Sequence, residues 1–393
     1  MSRLQDKTRR REGFPDSEER REGRYWRRRA RREARRREAV LAAGGMDAAL
    51  SLRALVDASR HCQRGVAWKR SVQGFCLNRV LQCARLHREW LAGSYVPGEA
   101  LRFKVSERGK TRDISAVPFR DRVVQRALCD TVLVPLVRRT LIYDNGASLK
   151  GKGTSFALDR LERHLHEHCR EHGVRGGILL FDFSRFFASI DVDRLVGTLG
   201  RVTGYPPLVR FSELFLRGEL QGLGLGNQTS QTGAILYPSA VDHWAKEVWR
   251  VRGYGRYMDD GYAIFADWNE MRAFAEAFCR RCAELGLALN ERKFRMVPVG
   301  QPFVFLKTRF QVDSRGRVHR RVCAEGIKRQ KRRLRKFAGM IAAGRIGYED
   351  AARSYASWRG TLARGDAVGL LQCKMDRYFC ETVGLPWREC LGG

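Results

Sequence analysis

A chain of 393 residues with 44% hydrophobic content is long enough for two or three domains and apolar enough to bury their cores. Its formal charge of +32, from 75 Lys and Arg against 43 Asp and Glu, requires a polyanionic partner; without a long apolar segment that partner is nucleic acid and not membrane. Eleven cysteines without regular spacing, and an N-terminus with charge but no apolar signal core, argue against a secreted disulfide scaffold and for free thiols in a reducing cytoplasm.

Residues 1–45 are dominated by Arg, with Tyr25 and Trp26 embedded in the run, and end at Gly44-Gly45. Ala, Arg and Glu favour helix, but this much like charge resists folding until phosphates neutralise it. A disordered or loosely helical segment is expected, either an RNA-binding arm or a solvated tail. From Met46 to Trp90 apolar residues recur at helical spacing, with Leu52, Leu55 and Val56 early and Phe75, Val80, Leu81 and Leu86 later, which predicts two helices bracketing Gly65. Leu101-Arg102-Phe103-Lys104-Val105 alternates as a strand, Gly109 turns the chain, and Thr111 to Ser115 returns to make a basic hairpin. Pro118 to Val137 reads as helix, kinked by Pro135 in its last turn. Arg122 and Arg126 share a face of it, which either meets nucleic-acid phosphate or lets Arg126 pair with Asp130 one turn on. Gly151-Lys152-Gly153-Thr154 opens a helix from Ser155 to about His172 but lacks the spacing of a nucleotide P-loop. His164, His168 and His172 line one face of that helix, and Cys279-Arg280-Arg281-Cys282 is a lone CxxC in a helical pattern; neither brings the further ligands that a zinc site needs.

Two stretches carry chemistry. Gly177-Ile178-Leu179-Leu180-Phe181-Asp182-Phe183 is an apolar run with one acid, a buried strand that delivers Asp182 to a sheet edge. Gly255 to Phe265 sets Asp259 and Asp260 between two β-prone, aromatic arms, a hairpin with acids at its tip. Neighbouring carboxylates repel, so a cation should hold them, and Mg2+ with its preference for carboxylate and phosphate oxygen suits the place. Three carboxylates on adjacent strands bind two metal ions about 4 Å apart, the arrangement of in-line phosphoryl or nucleotidyl transfer. Between these stretches, Ser189-Ile190-Asp191 offers a helix N-cap. Gly222-Leu223-Gly224-Leu225-Gly226-Asn227 leads into a polar helix start at Gln228-Thr229-Ser230-Gln231, where backbone can approach a base pair unobstructed. Met271 to Leu285 is an amphipathic helix, and from Ile327 onward Lys and Arg recur through further helices that carry Tyr355, Trp358, Leu362 and Leu370.

Tyr257-Met258-Asp259-Asp260 in a hairpin, preceded by the Asp182 strand with an aromatic five residues on at Phe187, resembles the palm of a reverse transcriptase. Asp121-Arg122-Val123-Val124-Gln125-Arg126-Ala127-Leu128 resembles the DRxVQxAL segment of the prokaryotic enzymes, and Leu287 to Lys293 resembles their LxLNxxKT element. Leu225-Gly226 and Ser230-Gln231, where most of the family has Gln-Gly and Ser-Pro, are similar to the pattern of diversity-generating retroelement reverse transcriptases. The resemblance covers roughly residues 50–385 and implies the α+β class with right-hand polymerase architecture. The basic arm would be 1–45, the fingers 46–175, the palm of antiparallel sheet and flanking helices 176–315 with a fingers-proximal insertion at about 192–225, and the helical thumb 316–393. It implies an RNA-directed DNA polymerase that makes cDNA from a structured RNA and is error-prone. An antiphage-defence or retron-type enzyme shares that chemistry, and a non-catalytic, maturase-like RNA-binding protein would keep the palm as scaffold.

Carried residue by residue, the resemblance implies two Mg2+ ions, with Mn2+ as a substitute, held by Asp182, Asp259, Asp260 and the backbone of Phe183. Lys293 is a general acid for the leaving pyrophosphate, or else an ordinary surface Lys. Lys104, Lys110, Arg112, Phe187, Leu225, Gly226 and Gln231 surround the incoming dNTP; Phe187 excludes a 2′-hydroxyl unless it is one more core Phe beside Phe183 and Phe186. Arg122, Arg126, Tyr257 and Met258 fall on template or primer, and Lys307 stands where a primer-grip strand has Gly. Leu225 in place of a polar Gln removes a hydrogen-bonding group beside the nascent pair, so looser discrimination is expected. The implied partners are an RNA template, a DNA or RNA primer and dNTPs, joined by a small accessory protein or a second copy of the chain, with no membrane and in a bacterial cytoplasm or encoded by a phage. The short stretch after the thumb leaves no room for an RNase H, integrase or endonuclease domain.

Overall fold

Val40, at the end of the Arg-rich run, is fully buried, and the run itself is a continuous helix, α1 (Ser17–Ala42), in the computed structural model. The model describes residues 17–42, 44–107, 110–217, 221–362 and 368–391. The expectation of a loose arm is corrected for its second half: a buried anchor at the C-terminal end and i,i+4 pairs such as Arg29–Glu33 hold a helix that like charge alone would melt. The first 16 residues of the arm lie outside the described residues.

Four helices follow where two were expected: α2 (Gly45–Ala49), α3 (Leu52–Gln63), α4 (Arg70–Leu77) and α5 (Arg79–Leu91). The two extra breaks come at Leu50-Ser51, where Ser51 is extended (φ −61°, ψ 152°), and at Asn78, whose backbone leaves helical values (φ −114°, ψ 38°). Strands β1 (Leu101–Glu107) and β2 (Lys110–Ala116) pair antiparallel; the Gly109 turn lies outside the described residues. Next come α6 (Phe119–Leu128), a π-helical turn at Cys129–Leu133, and α7 (Val134–Arg138). Pro135 has no N–H for the carbonyl four residues back, and the helix widens ahead of it instead of kinking in its last turn.

The chain continues through α8 (Thr154–His172), β3 (Gly177–Asp182), the short α9 (Phe186–Ser189) and α10 (Val192–Thr203). Asp191 caps α10 as its position predicts, accepting from the Arg194 amide at 3.0 Å. Then come α11 (Pro206–Leu216), α12 (Gln228–Leu236), α13 (Ser239–His243) with a π-helical turn at Trp244–Val248, and the hairpin β4 (Tyr254–Tyr257) and β5 (Asp260–Phe265). After α14 (Trp268–Glu284) and β6 (Arg295–Pro298), β7 (Phe303–Phe305), β8 (Thr308–Val312) and β9 (Val318–Val322) form a second antiparallel sheet. Leu306 and Lys307 make the tight turn between β7 and β8 with φ of 46° and 64°, so Lys307 adopts a left-handed backbone that a glycine would take without strain. Helices α15 (Ala324–Ala342), α16 (Tyr348–Thr361) and α17 (Val368–Val383) close the chain around Leu334, Tyr355 and Phe379.

The chain divides into two units, Met1–Thr140 with Ile190–Tyr237, and Leu141–Ser189 with Pro238–Gly393. In the first, α3, α4, α5, α6 and α11 pack around Leu55, Phe75, Leu86, Val123 and Phe211. The second is built on a four-stranded antiparallel sheet of order β4-β5-β3-β6. One face of its central strands, with Ile178, Leu180, Tyr262 and Ile264, packs on Leu161 and Leu165 of α8. On the other face Phe181 meets Phe278 of α14 at a ring distance of 4.7 Å. With both faces covered, β3 is buried along its whole length, which is why its sequence reads as an unbroken apolar run. Helices beside antiparallel sheets make this the α+β class that the sequence implied. Among the described residues no single helix is long and apolar enough to cross a membrane.

Candidate active site

Strand β3 ends on Asp182, and the residue directly opposite it across the sheet is Asp260, the first of β5. Opposed antiparallel residues have Cα atoms about 4.5–5.5 Å apart, so the two carboxylates are brought together at one end of the sheet. The β4–β5 hairpin closes through only Met258 and Asp259, with Tyr257 opposite Asp260. The Phe183 amide donates to the Asp259 carbonyl at 3.0 Å and ties this turn to β3. Gly261 is required next to the acids, because a Cβ there would lie 2.1 Å from Cζ of Phe181.

Burial first, then the charge of Asp259, pushes the Asp260 carboxyl up to about 7, with Lys293 opposing and Asp182 adding to the rise. The Lys293 ammonium hydrogen-bonds Oδ2 of Asp182 and lies 3.5 Å from Oδ1 of Asp260. Partial burial works against its charge, but the hydrogen bond to Asp182 and the Asp260 carboxylate raise it above the ordinary lysine value. Asn290 holds Asp182 from the other side: its amide donates to the Asp182 carbonyl at 2.8 Å and its Nδ2 to Oδ1 at 3.2 Å. The Leu287–Lys293 element thus runs beside the end of β3, bridged through Leu289 to Phe183. Among the described residues no three His, Cys, Asp or Glu side chains close around one metal position. The donors nonetheless fit a hard divalent cation: all are oxygens, two carboxylates share a cationic partner already, and their mutual repulsion favours more positive charge there.

Sequence reading missed what holds the hairpin. Arg256 of β4 is fully buried and forms a fork with Asp242 of α13, Nη2 to Oδ2 at 2.6 Å and Nε to Oδ1 at 2.9 Å. The Tyr254 hydroxyl donates to the same Oδ1 at 2.7 Å. The remaining edge of the guanidinium, Nη1, donates to the Met258 carbonyl at 2.8 Å. Met258 has φ of 54°, a left-handed value costing a non-glycine residue about 1–2 kcal/mol, and Arg256 braces the residue that carries it. An Arg in an otherwise apolar strand, next to the acids, was the available signal.

Behind the hairpin, Asp144 takes Arg160 at 2.5 Å and Lys246 at 2.8 Å. His164 sits beside it, 3.0 Å from the Tyr262 hydroxyl, and burial pushes its imidazole down to about 4. His168 is turned to the Arg175 carbonyl at 2.8 Å, so the three helical histidines are not joined around a metal, and all eleven cysteines are free.

Phe187 differs from its neighbours: Phe181, Phe183 and Phe186 are buried, whereas Phe187 is half-exposed and touches Phe186 edge-on at 5.7 Å. Tyr257 and Met258 are half-buried in the same hairpin. The other predicted residues belong to the first unit. Register puts Lys104 opposite Asp113 on one face of the β1–β2 hairpin and Arg112, opposite Val105, on the other, so these cations do not share a face. Lys110 opens β2, and its side chain lies outside the described residues. Leu225 accepts from the Ser115 amide at 3.0 Å, and Gly226 (φ 121°) is so close that a Cβ would lie 2.9 Å from the Ser115 carbonyl oxygen. Gln231 is exposed on α12. Arg126 pairs with Asp130 at 2.5 Å, and Arg122 is exposed.

No protein-family model matches the sequence, and no curated protein matches it. Solved structures do resemble it. Among them are apo telomerase from Candida tropicalis truncated from its C-terminal domain, 12% identical with a TM-score of 0.44 over 57% of this chain and 55% of that one. Apo telomerase from Candida tropicalis is 10% identical with a TM-score of 0.45, over 57% of this chain and 48% of the other. Telomerase from Candida albicans in complex with a TWJ fragment of telomeric RNA is 11% identical with a TM-score of 0.44, over 80% of this chain and 67% of the other. The chain spans about half the length of the two Candida tropicalis structures it matches. Likeness at this level transfers neither residue roles nor an activity.

Proposed function

We propose that this chain is an RNA-directed DNA polymerase of the diversity-generating type. The observation that carries the reading is the opposition of Asp182 and Asp260 at one sheet end, with Asp259 in the braced turn beside them and a cation already drawn between the first two. Clustered, partly buried acids are costly unless a cation compensates them, and a fold that spends a buried Arg–Asp fork on holding their turn uses the cluster. Asp182, Asp259 and Asp260 would hold Mg2+, or Mn2+ in its place, which when bound stabilises charge on the attacking and leaving oxygens. The chain's own groups do the rest. Lys293, placed beside the Asp182 and Asp260 carboxylates, is the group that would donate a proton to the leaving pyrophosphate. Of Lys104 and Arg112, which stand on opposite faces of their hairpin, one would supply charge for the triphosphate, and Phe187 offers a ring face against which a 2′-hydroxyl would collide. The formal charge of +32 suits a template and primer as partners. The direct test is extension of a DNA primer on an RNA template by the purified chain with Mg2+ or Mn2+, together with sequencing of the RNA and cDNA that co-purify; no incorporation with either ion would overturn the reading.

Two consequences follow for substrate choice. Phe187→Ala should raise relative kcat/KM for rNTPs by about 10²-fold or more, and an unchanged dNTP/rNTP ratio would assign the ring to packing alone. Leu225 offers the nascent pair shape contact without a hydrogen bond, which separates objects of similar outline weakly, so the enzyme should misincorporate readily. Leu225→Gln is expected to lower the error rate at some cost in speed. Deep sequencing of cDNA from parent and variant on one template checks this, and equal error spectra would remove Leu225 from the account.

A further inference from the structure

Helix α1 places Arg24, Arg28, Arg32 and Arg36 at every fourth residue. Together with Arg201 near the C-terminal end of α10 they line a groove of about 700 Å3 in the first unit. A single acid, Glu33, belongs to the lining, and it is taken by Arg29 at 3.1 Å. Guanidinium groups crowded along one groove repel each other, and one carboxylate that is already paired does not offset them. Among the described residues the lining leaves this positive charge in excess, which favours a polyanion in the groove.

The groove is built rather than incidental. The Arg36 guanidinium donates to the Arg201 carbonyl, near the end of α10 where helix carbonyls lack partners. At Gly204 the chain passes so close to α1 that a Cβ would lie 2.8 Å from the Glu33 carbonyl oxygen; with φ of 59° as well, glycine is required there. Val40 fixes the end of α1 in the core. The helix that carries these cations is therefore in place before a ligand arrives, which reduces the entropy lost on binding. Successive arginines in the series rise about 6 Å along the helix, on the order of the step between phosphates in a nucleic-acid strand. Beside them Tyr25 and Trp26 are 59% and 50% exposed, their rings edge-on at 5.4 Å, with Arg29 over the indole at 5.0 Å. Large exposed rings interleaved with arginine are a stacking platform for unpaired bases. A membrane surface would need a broad apolar face, and the exposed part of α1 has none beyond this aromatic pair and Leu41.

We propose that the α1–α10 groove is a docking site for single-stranded RNA, with the backbone phosphates along the Arg24–Arg28–Arg32 series and a base stacked on Trp26. That the polyanion is RNA rests on the polymerase reading; the binding itself requires no catalysis. The test uses the full chain without dNTPs or divalent ions and follows fluorescence anisotropy of a labelled single-stranded RNA as salt is varied. Arg24→Gln/Arg28→Gln/Arg32→Gln should weaken binding at least tenfold and flatten the plot of log K against log salt by about 0.7 for each lost contact, near 2 in all. Trp26→Ala should cost about tenfold and leave the slope unchanged. Far-ultraviolet circular dichroism identifies any loss of helix, in which case the single variants Arg28→Gln and Trp26→Ala decide by the same slopes. An unchanged slope in the triple variant, no loss with Trp26→Ala, or polyglutamate binding as tightly as RNA at equal salt would each overturn the proposal. Both variants should still extend a short preannealed primer–template. RNA binding that depends on the groove in a chain that extends no primer would sink the polymerase reading alone, whereas normal extension with groove-independent binding would sink this one alone.

Discussion

Asp259→Asn is expected to reduce dNTP incorporation on a primed RNA template by about 10³-fold or more while leaving the unfolding transition in place. The substitution keeps the shape of the side chain and removes one negative charge from the turn between β4 and β5. It relieves repulsion on Asp260, whose carboxyl is raised by burial and then by Asp259 itself, so the variant should be no less stable than the parent. What it loses is the third carboxylate, and with it the charge that would compensate a second divalent ion. Single-turnover extension with saturating primer–template measures the effect separately from nucleic-acid binding. Activity near that of the parent would remove Asp259 from the metal site and leave Asp182 and Asp260 as a pair neutralised by Lys293.

The second large effect is expected at Arg256. Arg256→Met should destabilise the protein by about 3–5 kcal/mol, because it leaves Asp242 charged, fully buried and without its fork, with only the Tyr254 hydroxyl still donating to it. Replacing the group together, as Arg256→Met/Asp242→Leu/Tyr254→Phe, removes every polar atom of the cluster and should recover most of that stability. It does not restore the donor to the Met258 carbonyl, so the turn that carries Asp259 loses its brace in the triple variant as well. Urea unfolding and primer extension should therefore separate: near-parent stability with a rate lower by about 10²-fold, the scale expected when reacting groups shift by an ångström. If rate returns along with stability, the fork serves only the core.

The chemistry of this chain was legible where local pattern and chemistry coincide. An unbroken apolar run with one acid is what a strand covered on both faces must look like, and β3 is that strand, with Asp182 at its end. The aromatic arms had to be extended, but the turn between them is shorter than expected: Met258 and Asp259 close it, and Asp260, expected at the tip, already belongs to β5. The cap at Asp191 was equally local, since a short acid before a helix satisfies amides one turn away. Where charge density set the expectation the outcome differed: α1 is helical because packing at Val40 outweighs repulsion along the helix, a balance that composition does not contain. The widened turn ahead of Pro135 and the break at Asn78 likewise depend on which neighbours are packed against the helix.

The sequence by itself therefore determined the kind of chain this is: strongly basic, α+β, with one acid on a buried strand and two more at a hairpin. Only the tertiary structure decided which groups control those acids. Asp242 and Arg256 are 14 positions apart, and Lys293 lies 111 positions from Asp182; nothing in local pattern pairs residues so separated. The physical reason is that periodicity records which face of an element is buried, whereas a buried charge is settled by whatever partner the fold brings within hydrogen-bonding distance. For the same reason Lys104 and Arg112, equally basic in the sequence, stand on opposite faces of their hairpin once register is set.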